Sequence, residues 1–237
     1  MIIYVFLVLY FAIFVRSFMC PKHPHVLNVY FGVPGSGKTT FAAHLTKWAL
    51  HESGIIRWCR KHDNALSRII LKSGYFKRRI DVYSNVPITG AYQLNAKDDI
   101  GNYMIEDAKI IIDEAGIEYN NRSYKTFPQE AIYFYKYHRH YKTSVDIFSQ
   151  SFDDMDVTLR RLAQNFYVVR RSLVPFCVVA RRIRRKVGVD DTTKQIADLY
   201  SMGLPILDTK RIFSPPLWKM FNSYSRKELP HKDFPLW

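Results

Sequence analysis

Cysteine is scarce in this chain and poorly placed for cross-linking. Cys20, Cys59 and Cys177 are odd in number and widely spaced, which excludes a disulfide framework and a cysteine metal motif and fits a reducing compartment. Acidic residues are also in deficit, with 21 Asp and Glu against 35 Lys and Arg, a formal net charge of +14. Such a balance suits a polyanionic partner, nucleic acid or anionic lipid. No internal repeat or low-complexity tract occurs. With 48% hydrophobic residues over 237 positions the chain can bury a substantial core, so one α/β domain with additions is expected.

Charge is missing altogether from Ile2 to Val15, IIYVFLVLYFAIFV. As a helix this run covers about 21 Å, short of the roughly 30 Å hydrocarbon core. Continuing through Arg16 to Cys20 closes the gap if Arg16 snorkels to the headgroups. The run lacks the basic leader and small-residue cleavage site of a signal peptide. Phe18 and Met19 are too bulky for a lipoprotein site at Cys20. A buried core helix or strand remains open, but no polar face is present. Residues 1–20 are therefore read as a membrane anchor. Arg16 and Lys22 after it place the N-terminus outside and the remainder in the cytoplasm.

What is present is dominated by Gly32-Val33-Pro34-Gly35-Ser36-Gly37-Lys38-Thr39, followed by Thr40, which fits G-x-x-x-x-G-K-[ST]. Glycines let such a loop fold back so that backbone N–H groups converge on phosphate oxygens at a helix N-terminus. Lys38 would reach the β- and γ-phosphates, and the Thr39 hydroxyl would sit on Mg²⁺. The context agrees: His25 to Phe31 reads as a buried strand, and Phe41, Leu45, Trp48 and Ala49 recur at helical spacing, with Gly54 as a stop. ATP and Mg²⁺ are the expected ligands.

Pro21 and Pro24 mark a linker over residues 21–25, before an ATPase domain over 26–213. Ile55 to Cys59 reads as a second strand, and a basic segment from Arg60 to Arg79 carries Leu66, Ile69 and Ile70 at helical intervals. Asp81 to Pro87 is a strand ending at a turn. Residues 91–107 are irregular.

Lys109-Ile110-Ile111-Ile112-Asp113-Glu114 is a second motif, a buried parallel strand with two carboxylates at its C-terminal end, where open α/β sheets place ligands. Asp113 is assigned to the metal and Glu114 to the general base. Pro128 to Tyr141 reads as a helix opened by proline. His138 and His140 near its end face different ways, which argues against a metal pair. Ser144 to Gln150 is a further strand, and its terminal amide is either a γ-phosphate sensor or an ordinary strand end. Asp153 to Ala163 reads as a helix, and Val174 to Val179 as a strand. The run Arg181, Arg182, Arg184, Arg185, Lys186 follows, open between a solvated face and a nucleic-acid or headgroup contact. The stretch 214–237 has four prolines and reads as an extended arm or partner-binding peptide.

Taken in order, GVPGSGKTT, VYSNVPI, KIIIDEA, NNRSYK, the His138-Arg139-His140 segment and DIFSQSFDDMDVTLRRL resemble the zonula occludens toxin (Zot) family, assembly ATPases of filamentous phages in the FtsK–HerA group of P-loop motors. The resemblance covers roughly residues 26–180. It implies a P-loop NTPase fold, with a mainly parallel sheet flanked by helices, in a membrane-associated ATPase that extrudes single-stranded DNA virions. It also implies a ring, taken as a hexamer, with single-stranded DNA or its protein complex, the host inner membrane and other phage assembly proteins as partners. Gln150 matches the polar sensor position. A ring motor takes a charge-neutralising arginine from a neighbouring subunit, and Arg122, Arg139 and Arg160 are the candidates. One departure is the apolar segment, which precedes the ATPase domain here, whereas family members commonly carry a span after it. The alternatives are a genome-packaging ATPase of a membrane-containing virus and a nucleotide-binding scaffold without turnover. A nucleotide kinase is disfavoured, because the apolar N-terminus and the basic surface would have no role in one.

Overall fold

The computed structural model describes Phe11 and residues 25–62, 64–73, 77–118, 128–189, 196–205 and 207–222. Its strands are β1 (Leu27–Phe31), β2 (Asp81–Ser84), β3 (Tyr92–Gln93), β4 (Ala108–Ile112), β5 (Ser144–Ser149), β6 (Asn165–Arg171), β7 (Cys177–Val189), β8 (Ile196–Met202) and β9 (Thr209–Phe213). The helices are α1 (Lys38–Leu50), α2 (Gly54–Lys61), α3 (Ala65–Ser73), α4 (Ala115–Glu118), α5 (Gln129–Tyr137) and α6 (Val157–Leu162), with a 3₁₀ helix at Pro215–Met220. Among the described residues no helix is long and apolar enough to cross a membrane, and the proposed anchor at 1–20 lies almost wholly outside them.

The strands form one sheet in the order β3-β2-β4-β5-β1-β6-β7-β8, with β9 also pairing β7. Pairings from β3 to β6 are parallel, and those of β7 with β6, β8 and β9 are antiparallel. β1, β4 and β5 are buried at every position, as parallel strands covered on both faces must be. Alternation along β1 sends Leu27, Val29 and Phe31 to the face covered by α5 and α6. Tyr30 goes to the opposite face, where α1 lays Phe41, Ala42, Leu45 and Ala49 against Ile111 and Phe148.

That second face also holds a polar ladder. Lys109 of β4 pairs with Asp146 of β5, both buried. Asn28 of β1 donates to Asp146 at 2.7 Å, Asn165 of β6 donates to Asn28 at 2.9 Å, and Arg182 of β7 donates to Asn165 at 2.7 Å. Five adjacent strands are thus stitched by side chains as well as by backbone. Burying a charge is tolerated when its partners are in place.

The sequence-based expectations need several corrections. Ile55 to Cys59 is helix α2, not a strand: the Ser53 hydroxyl accepts from Ile56 N–H at the N-cap, and Ile56 and Cys59 are buried three residues apart. Gly54 therefore opens a helix and does not stop one. His138-Arg139-His140 forms the turn after α5. There His138 is buried with Nδ1 2.6 Å from the Tyr135 carbonyl oxygen, and His140 is exposed. Asn165–Arg171 is a strand, β6, that the sequence-based expectations do not include. The strand expected from Val174 starts at Cys177 and carries the basic run to Val189, with Arg182 and Arg184 both exposed.

The last correction concerns the supposed arm from Ser214. Ser214 to Phe221 is folded onto the domain. Leu217 is 2% exposed in the cluster with α1, and Thr89 N–H donates to the Met220 carbonyl at 2.7 Å. The stretch 223–237 lies outside the described residues. Leu217→Ala should therefore destabilise the protein by about 2–5 kcal/mol in chemical denaturation, the cost of a cavity in a packed core. An unattached arm would show no change.

Candidate active site

The parallel register brings three chain exits to one edge of the sheet. Phe31 at the end of β1 pairs with Ser149 at the end of β5, and Ile112 at the end of β4 pairs with Ile147. The loops starting at Gly32, Asp113 and Gln150 consequently leave side by side, at the carboxyl ends where such sheets place ligands.

The first loop wraps tightly. Gly32 N–H donates to the Ser149 carbonyl at 3.2 Å. A Cβ on Gly32 would stand 2.5 Å from Ser36 Oγ and 2.6 Å from the Val169 carbonyl oxygen. Gly37, at φ 97°, caps α1, and a Cβ there would meet Val178 at 2.6 Å. Glycine is thus needed at Gly37 for conformation and for space together. Ser36 Oγ is buried with no hydrogen-bond partner among the described residues. A closely wound loop at a helix N-terminus, with a buried hydroxyl left over, fits a phosphate chain. Lys38 Nζ donates to the carbonyls of Gly32 at 2.7 Å and Val33 at 3.3 Å. Burial lowers its pKa, against the pull of Asp113 and Glu114.

The second loop is joined to the first by one contact. Thr39 Oγ1 donates to Asp113 Oδ2 at 2.8 Å. Asn85 holds Asp113 from the other side: its Nδ2 donates to the Asp113 carbonyl and its Oδ1 accepts from Asp113 N–H, both at 2.8 Å. Burial raises the Asp113 carboxyl above the usual carboxylate range, opposed by the Thr39 hydroxyl, the Glu114 N–H and Lys38. Glu114 follows at φ 53°, a left-handed conformation uncommon outside glycine and found at strained functional positions. Gln150 Nε2 donates to Glu114 Oε1 at 3.2 Å. The hard oxygens of Thr39 and Asp113 are of the type that suits Mg²⁺. Among the described residues no cluster of three His, Cys, Asp or Glu side chains offers another metal site.

Of the residues expected at a site, the structure gathers Gly32, Pro34, Gly35, Ser36, Gly37, Lys38, Thr39, Thr40, Asp113, Glu114 and Gln150 at this edge. It does not bring Arg139 or Arg160 there. Arg139 lies in the turn leading to the start of β5, at the opposite edge of the sheet. Arg160 sits over the Phe152 ring and pairs with Asp153 at 3.5 Å. Arg122 lies outside the described residues.

Residues with no assigned role also line the cavity of about 810 Å³ around the loop, among them Arg171, Phe176 and Trp218. Arg171 Nε donates to the Gly35 carbonyl at 2.9 Å. The β-branched and aromatic content of Asn165–Arg171 is a legible strand signal, but only the pairing of that strand with β1 brings Arg171 to the loop.

A family model, Zonular occludens toxin (Zot), matches residues 87–214. The chain belongs to the Zot family. The N-terminal domain of zonular occludens toxin from Neisseria meningitidis is 15% identical, with a TM-score of 0.49 over 84% of this chain and 100% of that one. The genome packaging NTPase B204 from Sulfolobus turreted icosahedral virus 2, in complex with AMP, is 12% identical, with a TM-score of 0.41 over 75% and 98%. The flagellar accessory protein FlaH from Methanocaldococcus jannaschii is 11% identical, with a TM-score of 0.40 over 78% and 94%. A search of curated proteins finds no match. All three TM-scores fall below 0.5, so the family assignment rests on the family model.

The raised Asp113 pKa has a measurable consequence. A carboxyl whose pKa is raised on folding contributes stability that is present below its unfolded value and lost as pH rises through its folded value. Neutral pH lies above the unfolded value, so there the buried Asp113 carboxyl is a cost to this Zot-family fold. Asp113→Asn, with the Thr39 hydroxyl free to turn, should melt at a higher temperature than the parent at pH 7. The difference should shrink as the pH approaches 4. A lower melting temperature at pH 7 would refute the assignment of that cost.

Proposed function

We propose that this Zot-family chain is a membrane-anchored, Mg²⁺-dependent ATPase that drives assembly and extrusion of a filamentous single-stranded DNA phage. It works as a ring, a hexamer, in the host bacterial inner membrane with its ATPase domain in the cytoplasm. Family membership supports the assembly role. The uncharged run at residues 2–15 supports the anchor, and the net charge of +14 supports a nucleic-acid partner. Single-stranded DNA or its protein complex, and other phage assembly proteins, are the remaining partners.

The observation that carries the enzymatic reading is the 2.8 Å contact between Thr39 and Asp113, beside a loop wound for phosphate. The backbone N–H groups of Gly35 to Thr39 and the Lys38 ammonium hold the phosphates. Thr39 and Asp113 hold Mg²⁺, which when bound neutralises phosphate charge. Asn85 fixes the Asp113 backbone and thereby the aim of both carboxylates. Glu114 takes a proton from the attacking water as its oxygen bonds to the γ-phosphorus and the bond to the ADP oxygen breaks. Gln150 orients Glu114 and reports the γ-phosphate. Arg171, already at the loop, supplies a cation within the chain, while Arg122, Arg139 and Arg160 are left as candidates acting from a neighbouring subunit.

Turnover by the full-length protein tests this. Lys38→Ala should lose nucleotide binding. Glu114→Gln should keep binding and lose turnover by about 10²–10⁴, the usual contribution of a positioned general base. Single-stranded DNA should stimulate the parent. Equal turnover by parent and Glu114→Gln would overturn the ATPase reading in favour of a scaffold that binds nucleotide without hydrolysing it.

A further inference from the structure

The cavity at the phosphate loop has a second wall that the phosphate chemistry does not use. Phe176, in the turn between β6 and β7, is 61% exposed, and Trp218, on the 3₁₀ helix, is 54% exposed. Their rings stand 6.1 Å apart at 66°, so they make a corner and do not cover each other. Both border the cavity that also contains Lys38 and Thr39.

The corner is held in place. Phe176 sits at φ 59°, strained for an aromatic residue. Its carbonyl accepts from Ser214 N–H at 2.8 Å, immediately before the 3₁₀ helix, and Cys177 pairs with Phe213. The far end of that helix is secured where Phe221 bridges to Ile88. A half-exposed indole and phenyl, fixed at 66° to each other beside an anion cradle, form a platform for a flat heterocycle that is tethered to the anion.

We propose that Trp218 and Phe176 form the nucleobase subsite, stacking the base of the nucleotide whose phosphates occupy the Gly32–Thr39 loop. This rests on the nucleotide-binding reading above. The subsite recognises a base by its π-face and hardly by its edge. Among the described lining residues the one side-chain amide is Gln150, which is engaged with Glu114, and beyond the phosphate loop and its carboxylates the other polar side chains are Arg171, bonded to the Gly35 carbonyl, Ser172, Cys177 and Ser214. Stacking is tolerant of base identity because every base presents a π-face. Discrimination between adenine and guanine should therefore be weak.

The test compares three probes on the full-length protein with Mg²⁺: a non-hydrolysable ATP analogue, the matching GTP analogue, and inorganic tripolyphosphate. The parent should bind both analogues within about fivefold of each other, and Trp218 fluorescence should change with either. Trp218→Ala should weaken both analogues by roughly tenfold to a hundredfold, the range of one lost base stack. Its affinity for tripolyphosphate should be unchanged, which also shows that the loop is intact. Trp218→Phe should recover most of the loss, and Phe176→Ala should weaken the analogues in the same direction. Unchanged analogue binding in Trp218→Ala, or an equal loss for tripolyphosphate, would overturn the subsite and leave the nucleotide reading standing. A parent that binds none of the three probes would overturn the nucleotide reading and the subsite with it.

Discussion

One short contact organises the site: the hydroxyl of Thr39 against the carboxylate of Asp113. These residues are 74 positions apart in sequence and belong to different loops. They meet because β1 and β4 run parallel with β5 between them, so that their carboxyl ends share an edge. The contact also sets two demands against each other. Asp113 must be held in a fixed position, which needs burial and the double hydrogen bond from Asn85. Burial in turn makes its charge costly, which is a cost to folding accepted at the site.

The strand order that permits this contact is itself specified by side chains inside the sheet. Lys109, Asp146, Asn28, Asn165 and Arg182 satisfy one another across β4, β5, β1, β6 and β7. Asp146 would keep a buried charge without its partners if β1 or β4 were placed elsewhere, and that penalty is large compared with ordinary packing differences. Arg182 is thereby tied into the structure. Arg181 is bound to the Gly203 carbonyl and Arg184 to Asp208. Much of the basic run on β7 thus has intrachain partners, and the positive surface available to a polyanion must draw on other positions as well.

The last described segment gives the site its outer boundary. Ser214 to Phe221 packs Leu217 into the core beside α1 while presenting Trp218 to the cavity. One short 3₁₀ helix joins stability to ligand recognition. The same helix ends at Met220, and Met220 with the following Phe221 connects it to the loop after β2, and therefore to the neighbourhood of Asn85.

The amino-acid sequence by itself determined the local chemistry. The glycine spacing of 32–37 requires a wound loop, Lys38 and Thr39 follow it at the start of a helix, and three isoleucines ending in Asp113-Glu114 demand a strand buried on both faces. These signals are local because each depends on backbone conformation or on burial of a contiguous run. Tertiary structure decided everything that depends on which segments become neighbours. It gave Asn85 its hold on Asp113, brought Arg171 to Gly35, and folded Trp218 over the cavity. None of these has a sequence period, since a hydrogen bond or ring contact between residues tens of positions apart leaves no regular trace in the chain that makes it.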